Sequence, residues 1–183
     1  FLGRVVTDGT NIVSINNTPL KGKQYNTDIE AYRRDILKTT FKSGSIVSAN
    51  ASPRKLNVSA GTFYFSNNKI TPTGGTAISF TPIYHSATPS QWIYSTPTDT
   101  VSNTLYDTGT GATGTITAGK WVKHALYVNG SGASEKYFLQ YGDVLYDTQV
   151  DAEAGGLPTP PSFFTEGIVS IASFVLSASS TNI

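Results

Sequence analysis

The chain has 183 residues and a formal net charge of +1, with 14% charged and 11% aromatic residues. It contains no cysteine, which excludes disulfides and cysteine-ligated metal sites. Low charge with many aromatics argues against disorder, and no apolar run reaches the ~18 residues of a membrane helix. Methionine is absent even at position 1, so we expect a processed chain or part of a longer polypeptide.

Charge is distributed unevenly along the chain. Residues 1–98 carry ten lysines and arginines against four acids, and residues 99–183 carry three against eight, so the two parts have net charges of +6 and −5. Opposite charges at the two ends favour docking between neighbouring copies. Solvated surface charge is the alternative.

Residues 1–45 are predicted to be an N-terminal anchoring segment with one short amphipathic helix at about 27–42. Thr27 and Glu30 form a capping-box pattern, and Gly44 supplies a stop. Little else in the chain is helical, so the apolar stripe must cover a sheet or meet copies of itself. We therefore predict an assembly interface that comprises Ile29, Tyr32, Arg33, Ile36, Leu37 and Phe41.

Residues 46–110 are predicted to form a β-rich domain. Short β-prone runs alternate with Pro, Gly or Asn turns every ~8–12 residues, which is typical of a sandwich or barrel. Asn67-Asn68 is a hairpin signal between two such runs. The fold class is therefore all-β, mainly antiparallel, with one short helix.

Residues 111–183 are predicted to form a C-terminal β-module, with a boundary near 110 in the Gly/Thr-rich segment 107–119. Trp121 to Val128 alternates as a strand, which places Val122 and His124 on one face and Lys123 on the other. A short turn leads to a returning strand at 136–141, and residues 147–154 suit one helical turn. Ile168 to Leu176 is apolar enough to be a strand buried on both sides.

Candidate chemistry is sparse. His85 and His124 are interpreted as structural, because no known motif supplies a triad partner and a spacing of 39 residues makes a poor metal site. The acids Asp143, Asp147, Asp151 and Glu153 lack the spacing of a calcium loop. Gly109 to Gly114 matches G-x-G-x-x-G, but no helix is expected after it, so we expect no phosphate site and no cofactor.

Two surfaces remain as binding candidates. A basic cluster, which comprises Lys21, Lys23, Arg33, Arg34, Lys38, Lys42, Arg54 and Lys55, suits an acidic protein neighbour better than nucleic acid. Exposed aromatics among small polar residues suit sugar stacking, and they comprise Tyr84, Trp92, Tyr94 and Tyr106. Packing in a narrow β-core is the alternative for these aromatics.

The block from Trp121 onward resembles a module of tailed-bacteriophage structural proteins such as fibres and spikes. The matching elements are Trp-Val-Lys-His-x-Leu-Tyr-Val, Lys-Tyr-Phe-Leu-x-Tyr-Gly, Leu-Pro-Thr-Pro-Pro, and Ile-Val-Ser-Ile-Ala-Ser ahead of Thr-Asn-Ile. Residues 56–62 look similar to strand-turn units of such proteins. The resemblance implies a non-enzymatic, β-rich, homotrimeric building block of a virion, which contacts other virion proteins.

The resemblance leaves open whether the protein belongs to a head or a tail appendage. A host-glycan-binding adhesin is the alternative function. A depolymerase fragment is disfavoured, because no pair of carboxylates stands out. We expect no nucleic-acid partner and no membrane association.

Overall fold

The computed structural model describes residues 4–7, 9, 12–16, 28–164 and 167–181. Fifteen strands dominate these residues, as expected from their Thr-rich and aromatic composition. In chain order they are β1 (Arg4–Thr7), β2 (Ile12–Asn16), β3 (Thr39–Gly44), β4 (Val47–Ala49), β5 (Leu56–Val58), β6 (Gly61–Phe65), β7 (Asn68–Ile70), β8 (Thr81–His85), β9 (Trp92–Tyr94), β10 (Leu105–Asp107), β11 (Thr113–Thr115), β12 (Trp121–Asn129), β13 (Lys136–Gln140), β14 (Leu145–Tyr146) and β15 (Ile168–Ser177).

A six-stranded sheet forms the centre of the fold. Strand β12 pairs along one edge with β15 and along the other with β13 and β14, and the sheet continues through β8 to β9. Every pairing in it is antiparallel except that between β13 and β8. The smaller sheets are β1–β2, β4–β5, β10–β11 and β3–β6–β7, and all are antiparallel. The predicted all-β, mainly antiparallel class is confirmed.

The fold is sandwich-like, because the six-stranded sheet packs against β4–β5 and β3–β6–β7 across one main core. Phe63 from β6, Leu56 from β5 and Leu126 from β12 all lie in this core, almost completely buried. A second, smaller core covers the opposite face of the six-stranded sheet. It contains Ala125 and Tyr127 of β12 with Phe164.

Strand β12 shows the predicted alternation. Val122, His124, Leu126 and Val128 share one face and are fully buried, while Ala125 and Tyr127 fill the second core. The strand is therefore covered on both faces.

Strand β15 corrects an expectation. The apolar run was expected to be buried on both sides, but only Leu176 and Ser177 are buried. Among the described strands β15 pairs with β12 alone, and a bulge interrupts that pairing beside Leu126 and Tyr127. The strand therefore lies at the sheet edge, and β12 takes the central position.

The predicted helix at 27–42 is too long. A helix, α1, occupies residues 28–37 and has a π-helical second half, Arg33–Leu37. It ends at Lys38, which has a φ of 53°. The next residues form β3 instead, where Phe41 pairs with Phe63, because Thr-Thr-Phe suits a strand beside β6. Thr27 of the predicted capping box lies outside the described residues.

The C-terminal helical turn forms as predicted. Helix α2 (Gln149–Ala154) forms within the predicted turn at 147–154, and Thr148 caps it by accepting from the Asp151 N–H. The predicted boundary near 110 is crossed by both the six-stranded sheet and the main core, which combine residues from the two sides. Within the described part of the chain, no helix is long and apolar enough to cross a membrane.

The close approach of Gly142 to β12 gives a test of this packing. An added Cβ would collide with the Lys123 carbonyl oxygen, so Gly142→Ala is expected to lower the free energy of unfolding by about 2–3 kcal/mol. Gly156→Ala is the control, because its Cβ would meet nothing within 4 Å, and it should stay within ~1 kcal/mol of wild type. Equal urea midpoints for the two variants would contradict the packing.

Candidate functional site

The residues predicted to form an assembly interface are largely exposed. Tyr32, Ile36 and Leu37 on α1 are 53%, 66% and 49% exposed, and Phe41 on β3 is 53% exposed. Ile29 is half-buried. We call Tyr32, Ile36, Leu37 and Phe41 the apolar surface. All four are large apolar side chains exposed within ten residues of sequence, and exposed apolar side chains that lie together mark interaction surfaces.

Helix α1 is held to the β6–β7 turn through one asparagine. The Arg33 guanidinium donates to the Asn67 Oδ1 (2.6 Å), and the Asn67 amide donates to the Glu30 carboxylate (2.8 Å). Beside them, the Arg34 guanidinium donates to Asp35 and holds the pKa of that carboxyl below its usual range. Polar contacts thus position α1 while its apolar side chains stay exposed.

The four aromatics predicted to bind sugar do not share one surface. Trp92 and Tyr94 lie on the second-core face of the six-stranded sheet, whereas Tyr84 packs into the main core and stacks on Tyr141. Tyr106 lies across from Gly114 in the β10–β11 hairpin, where an added Cβ on Gly114 would collide with its ring. Only Trp92 and Tyr94 remain as neighbours.

A polar pair accompanies Trp92. The fully buried Asp107 carboxylate accepts from the His85 backbone N–H (2.8 Å), the His85 Nδ1 (2.7 Å) and the Gly109 N–H (2.7 Å). The His85 ring lies 4.1 Å from the Trp92 ring, centroid to centroid. The His85 side chain is 31% exposed. Asp107 therefore fixes the imidazole while leaving part of it at the surface.

Two phenylalanines that the sequence did not single out complete an aromatic group beside Tyr94. Phe163 lies 6.4 Å from Tyr94 and is 47% exposed, and Phe138 meets Tyr94 edge-on at the same distance. Phe163 follows the Pro-rich connection, which is pinned to the sheet where Gln140 donates to the Thr159 carbonyl (2.6 Å). The adjacent pair Phe163-Phe164 after three prolines is the sequence feature that could have indicated this aromatic group. We call Trp92, Tyr94, Phe163 and His85 the aromatic site.

His124 lies on β12 and is completely buried. Its Nδ1 accepts from the Gly142 N–H (2.9 Å), so Nε2 carries the proton in the neutral ring. Nε2 has no hydrogen-bond partner among the described residues, and the ring lies between Tyr141 and Phe174. Burial lowers the pKa of His124 to about 3. This environment agrees with the structural interpretation of the residue.

The acidic run takes part in local contacts. Asp147 pairs with Lys120, Asp151 accepts from the Thr148 hydroxyl, and Glu153 accepts from the Gln149 amide. Asp143 is exposed. No group of three His, Asp or Glu side chains among the described residues could hold a metal ion. The Gly109–Gly114 match lies in the β10–β11 hairpin, and its last two residues belong to strand β11 rather than to the start of a helix.

The predicted basic cluster is divided by the fold. Arg54 donates to the Val101 carbonyl (3.3 Å) and to Asn103 (3.0 Å), and Lys55 pairs with Asp99 (2.6 Å). That contact holds the pKa of Asp99 below its usual range. Lys21 and Lys23 lie outside the described residues. The other members are on or near α1 and β3.

Comparisons of the chain with protein-family models, with curated proteins and with solved structures find no match.

The burial of His124 predicts a pH dependence of stability. Its pKa falls from 6.5 in the unfolded chain to about 3 in the folded chain, so the unfolded state binds the extra proton. Stability is therefore complete above pH 6.5 and is lost as pH falls toward 3, by roughly 2 kcal/mol at pH 5.

The measurement is urea unfolding of wild type and His124→Asn between pH 8 and pH 5. Asparagine retains an oxygen acceptor but does not titrate. Subtraction of the two curves cancels the contribution of the carboxylates and of His85 to the pH dependence. We expect the stability advantage of wild type to shrink as pH falls. Parallel curves would show that His124 does not carry this effect.

Proposed function

We propose that the chain is a non-enzymatic structural subunit of a tailed-bacteriophage virion. In this proposal it forms a β-rich oligomer, with a trimer favoured, in a head or tail appendage. Assembly proceeds through the N-terminal part and the edge strands, with other virion proteins as neighbours. The resemblance of residues 121–183 to fibre and spike modules suggests the virion. The exposed apolar surface on α1 and β3 is the observation that carries the assembly function.

The apolar surface supports assembly for an energetic reason. Burying apolar area contributes about 25 cal/mol per Å², and Tyr32, Ile36, Leu37 and Phe41 each leave about half or more of their area to solvent. A partner that covers them gains this energy. Their helical spacing in the sequence predicted an interface. All four side chains are exposed in the structure, three on α1 and Phe41 on β3.

The edges of the sheets support the same proposal. Strand β15 is ten residues long and pairs along one edge with β12, and its other edge pairs with no described strand. Unpaired backbone groups on such an edge favour pairing with another chain. The bulge beside Ala172 bends this edge, which limits the length that a partner strand could pair with.

The apolar surface predicts the mass of the protein in solution. Sedimentation or light scattering should give a multiple of the 19.5 kDa chain mass, three chains for the favoured trimer. Ile36→Ser with Leu37→Ser removes much of the apolar area and should raise the dissociation constant by about tenfold or more.

Phe163→Ser is the matched control, because that residue is similarly exposed but lies on the aromatic site. The control should assemble like wild type. A wild-type chain that stays a compact monomer at every concentration, with no assembly partner, would remove the proposal.

A second candidate function, host-glycan binding, is favoured by the aromatic site. Trp92 and Tyr94 lie on one sheet face beside exposed Phe163, and His85 presents a fixed imidazole next to Trp92. A flat aromatic side chain beside an oriented hydrogen-bonding group can stack on a sugar ring and bind its hydroxyls. The adhesin would be the part of the appendage that attaches to the host.

A glycan array tests this second function. Wild type is expected to bind a defined set of glycans, and Trp92→Ala should weaken that binding about tenfold or more, since an anchoring aromatic contributes about 2 kcal/mol. Tyr106→Ala is the control, because Tyr106 lies in the β10–β11 hairpin. Absence of glycan binding, or equal binding by Trp92→Ala, would exclude the aromatic site from this role.

A further inference from the structure

A cleft of about 340 Å³ separates α1 from the β3–β6–β7 sheet. Arg33, Leu37 and Lys38 line it from the α1 side, and Tyr64 lies on the sheet. Arg33 and Asn67, which are joined by a hydrogen bond, both line the cleft. The cleft therefore combines two cations with an apolar side chain and an aromatic ring.

Further cations surround Tyr64. The Lys42 ammonium lies 6.0 Å from the centre of the Tyr64 ring, and Lys69 is the residue directly opposite Tyr64 on β7. We call Arg33, Lys38, Lys42, Tyr64 and Lys69 the basic face. None of the described residues that line the cleft is acidic. Nearby Glu30 and Asp35 are engaged by Asn67 and Arg34.

The C-terminal part of the chain carries the opposite charge. No lysine or arginine follows Lys136, and Asp143, Asp147, Asp151 and Glu153 are all exposed. The two lysines nearest to α2 are engaged, since Lys120 pairs with Asp147 and Lys123 donates to the carbonyls of Glu153 and Gly155 (2.7 Å each).

We call Asp143, Asp147, Val150, Asp151 and Glu153 the acidic surface. Val150 in α2 is 72% exposed, so this surface also joins an apolar side chain to its charges. Helix α2 packs on β12, β14 and β15, which fixes the surface to the six-stranded sheet.

We propose that the basic face of one copy binds the acidic surface of a second copy, so that the subunits associate head to tail. Each surface has a net charge of one sign and an exposed apolar side chain, Leu37 at the first and Val150 on the second. Apolar contact supplies affinity, and opposite charges set the orientation and reject like pairings. No ion pair between described residues joins the two surfaces within one chain.

Head-to-tail contact has a consequence for symmetry. The two surfaces differ, so the contact is heterologous and must either close into a ring or extend as a filament. A ring of three copies would give the favoured trimer. This inference rests on the proposed assembly function and names a second copy of the chain as the partner that covers the basic face and Leu37 of the apolar surface.

Charge reversal with compensation tests the inference. Lys38→Glu with Lys42→Glu and Lys69→Glu takes the four cations of the basic face from a net charge of +4 to −2, so that both surfaces are acidic. Asp143→Lys with Asp147→Lys and Glu153→Lys takes the four acids of the acidic surface from −4 to +2, so that both surfaces are basic. Each triple variant should raise the dissociation constant about tenfold or more in sedimentation at low salt. The sextuple variant exchanges the two signs and should assemble again, within about threefold of wild type. Lys136→Glu is the control, because Lys136 is exposed at the start of β13 and lies outside both surfaces. This variant should not change assembly.

The outcomes separate this inference from the proposed function. Restored assembly of the sextuple variant supports the inference and shows that the reversed surfaces fold. If the triple variants assemble like wild type, or if the sextuple variant stays dissociated, the charge pairing is wrong. If Ile36→Ser with Leu37→Ser still abolishes assembly, the proposed function stands, and the apolar surface contacts a different part of the second copy. A wild-type chain that is monomeric throughout overturns both.

Discussion

Strand β12 is the element on which the rest of the structure depends. It is buried on both faces and hydrogen-bonded along both edges, to β15 on one side and to β13 and β14 on the other. A strand in this position must place apolar side chains on both faces, and the run from Val122 to Val128 does so. The main core, the second core and α2 all pack on it.

Polar groups inside this framework connect distant segments. Gly142 donates to His124 on β12 and accepts from the Asp107 N–H (2.8 Å), and Asp107 in turn holds His85 on β8. Four segments of the chain are thus joined through hydrogen bonds, and a buried polar group left without its partner costs about 1–3 kcal/mol. The aromatic site is built at the end of this connection. Its imidazole owes its orientation to a carboxylate that the solvent does not reach.

Local patterns predicted much of the fold. Alternation identified β12 and its two faces, and turn chemistry identified the β6–β7 hairpin. Local patterns failed where neighbours decide the outcome. The apolar run of β15 looks the same whether both of its edges are paired or one, and Phe41 fits a helical spacing although β6 offers it a strand partner.

The candidate sites show the same limit. Exposure of Tyr32, Ile36 and Leu37 agrees with a stripe read from the sequence, because these residues belong to one short helix. The contact between His85 and Asp107 spans 22 residues and follows no motif. The separation of Tyr84 from Trp92 depends on which sheet face each strand turns toward the main core. Such contacts can be predicted only when the pairing of the strands is known.

The central claim is that the apolar surface of α1 and β3 is covered when the protein assembles. Hydroxyl-radical footprinting of the chain, at concentrations above and below the dissociation constant, tests it directly. We expect Tyr32, Ile36, Leu37 and Phe41 to lose reactivity on assembly, while Tyr94 and Phe163 keep theirs. Equal reactivity of the α1 side chains in the assembled and dissociated protein would contradict the account.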